Sequence, residues 1–313
     1  MQERRMPNQH AKPPVKLNGS TSASEIVAGM ELGHQVVIVT GANTGIGFET
    51  ARSLAAAGAR VILACRSVEK AQAAVDKILQ LHPSSQAESL PLDLASVDSI
   101  IAFSTQLNAD KIDTLICNAG LVMPNYEQTQ EGIEKTVGVC HYGHFLLTRL
   151  LLPRLLKAAS PRVVMVSSES HRSPKTLDFE RFPLTRDNFA MFTAYGQAKL
   201  ANVLMANELQ RRYGDQGLTA CSLHPGALVT TDIGRGSLLM RVLMVLISPF
   251  TKNVDQGAST TVYCATEGDA GLIAGVYYAD CQSAKMSDEA ANQQVAEKLW
   301  AISDAWADSV LPQ

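Results

Sequence analysis

Tyr195 and Lys199 stand four residues apart in a helix-like stretch, Tyr195-Gly196-Gln197-Ala198-Lys199. That spacing puts both side chains on one helix face. A phenol beside an ammonium group can give and take a proton near neutral pH, because the positive charge favours the phenolate. Taken alone, Y-x-x-x-K also fits an ordinary exposed helix. Here it follows an apolar, β-rich run at 162–167 that leads into Ser167-Ser168, so a hydroxyl can join the same site. Tyr195 is read as general acid and base, Lys199 as its electrostatic activator and Ser168 as the hydrogen-bond partner of a substrate oxygen.

A second constellation lies near the start of the chain. Gln35-Val36-Val37-Ile38-Val39 leads into Thr40-Gly41-Ala42-Asn43-Thr44-Gly45-Ile46-Gly47, and a helix-like stretch runs from Ile46 to Ala57. Strand, glycine-rich turn and helix together suit a pyrophosphate. Glycines let the backbone approach the phosphates, and free N–H groups at the helix start point at the anion. The spacing is G-x-x-x-G-x-G, not the G-x-G-x-x-G fingerprint, and a plain strand-to-helix turn is the competing reading.

The elements that position these residues follow from periodicity. Apolar runs at 35–39, 60–65, 88–92, 113–117, 162–167, 218–223 and 275–279 mostly lack polar alternation and read as strands buried on both faces. Helical patterns lie near 46–57, 67–81, 96–108, 131–157, 193–213, 255–266 and 287–309. The expected fold is α/β: a doubly wound, mostly parallel sheet of about seven strands with helices on both faces. Residues 1–30, with Pro7, Pro13 and Pro14, read as a flexible arm ending in a short helix near Ser24 to Gly29. Residues 31–313 read as one domain. Ligands of such sheets bind beyond the carboxyl ends of the strands. Gly41, Arg66, Asp93, Asn118, Ser168 and His224-Pro225-Gly226 stand just there.

Composition narrows the classes. A formal net charge of −3 with no long basic block gives no electrostatic case for nucleic-acid binding. Six scattered cysteines without a C-x-x-C pair read as reduced thiols, and no signal-peptide region is visible. The strongest apolar stretch, 238–247, is about half of a membrane span and contains Arg241. A soluble, cytoplasmic protein with no transmembrane segment is expected.

Taken together, these motifs resemble the short-chain dehydrogenase/reductase family, with its Rossmann fold. They are T-G-x-x-x-G-x-G at 40–47, Asn118-Ala119-Gly120, V-S-S ending at Ser168, Tyr195 with Lys199, and Pro225-Gly226, in family order over about 33–280. The long Ser168-to-Tyr195 separation and Val61-Ile62-Leu63-Ala64-Cys65-Arg66 resemble the retinol-dehydrogenase-like branch. Asn18-Gly19-Ser20-Thr21 and Ser167-Ser168-Glu169-Ser170-His171-Arg172 look most like the WW-domain-containing oxidoreductases. WW modules are not expected here, because the only tryptophans are Trp300 and Trp306 in the C-terminal helix pattern.

The resemblance implies hydride transfer between a nicotinamide cofactor and a carbonyl or alcohol. It implies that Gly41, Asn43, Thr44, Gly45, Ile46 and Gly47 hold the pyrophosphate, and that Lys199 also binds a ribose. Asp93 and Leu94 would meet the adenine, Asn118, Ala119 and Gly120 the adenosine ribose region, and Pro225, Gly226, Thr230 and Thr231 the nicotinamide side. At the end of the second strand the chain has Cys65-Arg66-Ser67 and no carboxylate. An arginine suits a 2′-phosphate, so NADP is favoured over NAD. Family members often form homo-oligomers, but no residue here fixes the state. The stretch 238–247 reads either as a core helix or as an apolar lid over a lipophilic substrate, retinoid-like, steroid-like or another aldehyde or ketone.

One position departs from the pattern. Where the family has N-H-x-G-H-F, this chain has Cys140-His141-Tyr142-Gly143-His144-Phe145. In the family that asparagine helps hold a water linking the lysine to solvent, and a thiol cannot offer an amide's two ends. Two functions therefore stay open: an active oxidoreductase, or an NADP-binding sensor or partner-binding protein with little turnover. Cys140, His141 and His144 lack zinc-like spacing, so no metal site is expected. No G-x-S-x-G elbow is present. His224 is read as packing the turn before Pro225.

Overall fold

Runs rich in β-branched residues, such as Val36–Thr40 and Arg162–Val166, form central strands, and the intervening helices return the chain so that these strands run parallel. The computed structural model describes residues 17–226, 252–266 and 275–311. Its strands are β1 (Val36–Thr40), β2 (Arg60–Cys65), β3 (Gln86–Pro91), β4 (Thr114–Cys117), β5 (Arg162–Val166), β6 (Thr219–Leu223), β7 (Tyr277–Ala279) and β8 (Gln282–Ala284). They form one sheet in the order β3-β2-β1-β4-β5-β6-β7-β8. Every pairing is parallel except the last, where β8 returns antiparallel to β7.

The helices are α1 (Ala23–Val27), α2 (Gly45–Ala56), α3 (Val68–Leu81), α4 (Val97–Gln106), α5 (Lys135–Val137), α6 (Gly143–Leu155), α7 (Met191–Tyr213), α8 (Val254–Thr266) and α9 (Gln293–Val310). Leu54, Ile78 and Val262 belong to the core under α1, α2, α3 and α8 on one sheet face. Phe103, Leu147 and Met205 belong to the core under α4, α6, α7 and α9 on the other. This is the doubly wound, mostly parallel sheet expected from the alternation.

Three details differ from the expectation. β3 is not buried on both faces; its residues are exposed or half-buried, because it is the sheet edge. Arg60 and Glu88 pair across it at 2.7 Å. β8 has no counterpart among the expected strands. It is short and polar, and its turn carries Asp280 and Cys281 at φ 52° and 59° instead of an Asn-Gly signal.

The third difference is the helical pattern at 131–157. It starts at Lys135, where the Glu134 carboxylate accepts the N–H groups of Thr136 and Val137 at 2.8 and 2.9 Å. Between α5 and α6, Gly138–Tyr142 forms a π-helical turn. Such turns are rare and concentrate at functional sites. The described part of the N-terminal segment, 17–30, contains α1, whose Ala23, Ile26 and Val27 are buried in the core beside α2 and α8.

Candidate active site

The strand order reverses direction between β1 and β4, and a crevice opens there beyond their carboxyl ends. The resulting cleft has a volume of about 450 Å³. Gly41 and Asn43 through Gly47 line it after β1, and Asn118 through Val122 after β4. Val166 and Ser167 at the end of β5, Tyr195 and Lys199 on α7, and Pro225 after β6 complete the lining.

The glycine turn is shaped from within. A Cβ on Gly47 would lie 2.4 Å from Asn118 Nδ2 and 2.6 Å from the Gly41 carbonyl oxygen, so only glycine fits. Thr40 Oγ1 accepts the backbone N–H groups of Asn118 and Ala119, both at 2.9 Å. Asn118 Nδ2 donates to the Thr40 carbonyl at 2.8 Å. The Cys65 sulfur takes backbone hydrogen bonds from Ala42 and Asn43, and burial pushes its thiol up to about 11.

Behind Thr40 stands His144. Its Nδ1 lies 3.0 Å from the Cys140 carbonyl and its Nε2 2.9 Å from Thr40 Oγ1. A carbonyl only accepts, so Nδ1 carries the proton; the neutral ring then accepts the threonine hydroxyl at Nε2. Burial pushes His144 down to about 4, and burial with the neighbouring His144 pushes His141 down to about 3. His141 Nε2 pairs with Ser303 Oγ at 2.8 Å. Among the described residues no cluster of His, Cys, Asp or Glu is arranged to hold a metal.

Across the cleft from the glycine turn, Lys199 is only 4 % exposed. Its Nζ donates to the Val166 carbonyl at 3.0 Å and lies 5.6 Å from the centre of the Tyr195 ring. Gly120 makes room for it: a Cβ there would meet Lys199 Nζ at 3.2 Å and Cys140 Sγ at 3.6 Å. Cys140 is fully buried in the π-helical turn, and its thiol points to the Leu121 carbonyl at 3.8 Å. The thiol thus lies beside the lysine, one layer behind the cleft wall.

The remaining residues named from the sequence stand apart from this lining. Ser168 is half-buried; its Oγ accepts the Ser170 N–H at 3.2 Å and caps a 3-10 turn, while neighbouring Ser167 lines the cleft and donates to the Lys199 carbonyl at 2.7 Å. Arg66 is exposed between the end of β2 and the Ser67 cap of α3, with no hydrogen-bond or ion-pair partner among the described residues. Asp93 Oδ1 accepts the Ala95 N–H at 2.9 Å, and the Leu94 carbonyl packs against Gly143. Gly226 follows Pro225. Thr230, Thr231 and the stretch 238–247 lie outside the described residues. Leu121, Val122, Val166 and Ser167 line the cleft without having been assigned a role; each lies within two residues of one that was.

A family model described as short chain dehydrogenase matches residues 35–178. The WW domain-containing oxidoreductase of Danio rerio is 42% identical over 299 residues, covering 93% of this chain and 73% of that protein. Retinol dehydrogenase 12 of Mus musculus is 44% identical over 271 residues, covering 86% of this chain and 85% of that protein. The chain belongs to the short-chain dehydrogenase/reductase family. Among solved structures, a short chain dehydrogenase of Escherichia coli CFT073 complexed with NADPH superposes with a TM-score of 0.62 at 25% identity, covering 79% of this chain and 96% of that one. An uncharacterised protein of Mycobacterium Paratuberculosis superposes with a TM-score of 0.72 at 32% identity, covering 92% and 98%.

This oxidoreductase family uses a nicotinamide cofactor, and the cleft fits one on its own terms. α2 opens into it at Gly45, and the side chain of its N-cap, Thr44, does not cap the helix. The first amides of α2 are therefore available to an anion.

Proposed function

We propose that the protein is an NADP-dependent oxidoreductase acting on a carbonyl or alcohol of a small lipophilic substrate. The observation that carries this reading is the sharing of one cleft by the glycine turn, Tyr195 and a nearly buried Lys199. A bound nicotinamide supplies or accepts the hydride. Tyr195 gives its phenolic proton to the carbonyl oxygen, or takes one from the alcohol. Lys199 favours the phenolate by its charge and binds a ribose hydroxyl. Ser168 hydrogen-bonds the substrate oxygen. Arg66, exposed at the end of β2 and without a partner among the described residues, takes the 2′-phosphate, which favours NADP over NAD. Asp93 and Leu94 border the adenine.

Similarity to a protein named retinol dehydrogenase 12 supports a retinoid-like or other long apolar substrate. The six cysteines are free and buried, which suits a reducing, cytoplasmic setting; among the described residues no helix is long and apolar enough to cross a membrane. Cys140 supports a second reading, a cofactor-binding sensor with little turnover. Mixing the purified protein with NADPH and a panel of aldehydes and ketones separates the two. Consumption of NADPH that depends on the carbonyl supports the oxidoreductase. Tight NADPH binding with no consumption across short and long carbonyls supports the sensor.

A further inference from the structure

Two turns at the edge of the cleft, the Ser168 turn next to Ser167 and the Pro225-Gly226 turn, are joined by a cluster of side chains. His171 is fully buried. Its Nδ1 lies 2.7 Å from the Ser168 carbonyl, and its Nε2 lies 3.2 Å from the Ser287 backbone nitrogen. A carbonyl only accepts and an amide N–H only donates, so Nδ1 carries the proton and Nε2 accepts. His224 holds the opposite tautomer. Its Nδ1 accepts the Gly226 N–H at 3.1 Å, so Nε2 carries the proton and donates to Glu169 Oε1 at 3.2 Å. Glu169, next to Ser168, is fixed in turn by Arg172 Nε at 2.8 Å. The ring of Tyr277 packs against both imidazoles, 4.7 Å from His171 and 5.9 Å from His224.

We propose that His171 and His224 are paired positioning residues, His171 setting the Ser168 turn and His224 setting the Pro225-Gly226 turn. The proposal rests on the oxidoreductase reading for its effect on turnover. Each histidine acts through the backbone of a neighbour, and the two fixed tautomers give each a separate target. Glu169 and Tyr277 connect them, so the two turns keep one separation.

Two of these hydrogen bonds, Gly226 N–H to His224 and Ser287 N–H to His171, require neutral rings. Burial pushes both histidines below their ordinary range. Around His171 the charged groups are Arg172, which opposes protonation, and Glu169, which favours it, with His224 nearby. Around His224, Glu169 and Asp280 favour protonation, and Lys252 and Arg172 oppose it. A proton on His224 Nδ1 would face the Gly226 N–H, and one on His171 Nε2 would face the Ser287 N–H. Acidification below the histidine range therefore releases Gly226 from His224 and Ser287 from His171, while His171 still donates to the Ser168 carbonyl.

The test uses the full chain and four variants. Glutamine cannot present a polar atom where Nδ1 stands, whereas asparagine can. His224→Gln should weaken NADPH binding about fivefold to tenfold, the size expected for one lost hydrogen bond. It should also speed amide exchange in a peptide covering 222–226 measured by hydrogen–deuterium exchange without cofactor. His171→Gln should lower kcat by a similar factor with NADPH binding unchanged, and should speed exchange in 168–173. His224→Asn and His171→Asn should each recover most of the loss. If wild type consumes no carbonyl, the oxidoreductase reading fails, while NADPH affinity and the two exchange patterns still decide the positioning roles. Glutamine variants that match wild type in binding, kcat and exchange overturn the proposal. So does a uniform loss of melting temperature and activity that asparagine does not repair, since that marks packing alone.

Discussion

The two halves of the cleft are built from different material. Around the glycine turn, side chains accept backbone amides. Thr40 Oγ1 receives two amides, the Cys65 sulfur receives two more, and Gly47 has no room for a methyl group. Across the cleft, side-chain donors reach backbone carbonyls: Lys199 to the Val166 carbonyl, Cys140 to the Leu121 carbonyl, and Ser167 to the Lys199 carbonyl. Changes in the first half should deform the cradle and weaken cofactor and fold together. Changes in the second should alter proton handling and leave the cradle standing.

The sharpest expected effect is on the catalytic half. Tyr195→Phe keeps the ring and removes the transferable proton, so turnover should fall by about a hundredfold to ten-thousandfold. NADPH titration of the same sample should match wild type; a parallel loss of affinity would erase the contrast between the halves. In the cradle, Gly47→Ala should cost about 1–3 kcal/mol of stability, because its neighbours are backbone and a bonded amide. Its NADPH affinity should drop with its melting temperature. A stable variant with normal NADPH affinity would show that the turn can relax.

Arg66→Ala should weaken NADPH about tenfold to a hundredfold, as a charge-assisted hydrogen bond is worth about 1.5–3 kcal/mol. NADH should change little, and equal losses for both cofactors would remove Arg66 from the 2′-phosphate.

A pH effect from His141 and His144 acts on the fold as a whole. Both stay neutral when folded, being held down to about 3 and about 4, while an unfolded histidine takes a proton near 6.5. Below about pH 6.5 the unfolded state therefore binds more protons, and stability falls as pH falls. The slope approaches about 1.4 kcal/mol per pH unit for each histidine and levels off only below their folded values. Urea unfolding from pH 7.5 to pH 5 reads this, and His141→Gln should flatten the curve. The smallest effect is expected at Cys140. An asparagine there should raise kcat a few-fold, about 1 kcal/mol of barrier, with NADPH affinity unchanged. Steady-state rates over a pH series check it; an unchanged profile would mean that the thiol does not limit proton resupply.

The same contrast governs what can be read from the chain. Local chemistry is legible: the strands around β1, β2, β4, β5 and β6 carry continuous apolar runs, and the glycine turn announces its close approaches. The edge position of β3 is not, because Ala87 and Leu90 look the same in an interior strand until the neighbours are known. β8 escapes because Asp280 and Cys281 are uncommon in a left-handed turn. The π-helical turn at 138–142 leaves no mark on periodicity, although it is what seats Cys140 beside Lys199. Nor does spacing reveal that His144 braces Thr40, a contact between residues 104 apart in sequence.

In the proposed function, hydride leaves NADPH in this cleft and Tyr195 supplies the accompanying proton. The most direct test uses NADPH carrying deuterium at the transferable position, a long-chain aldehyde, and mass spectrometry of the alcohol formed. Wild type should place deuterium on the carbinol carbon, and Tyr195→Phe, still binding NADPH, should give almost no labelled alcohol. Unlabelled product, no product from a wild-type protein saturated with NADPH, or equal labelling by the variant would contradict the account.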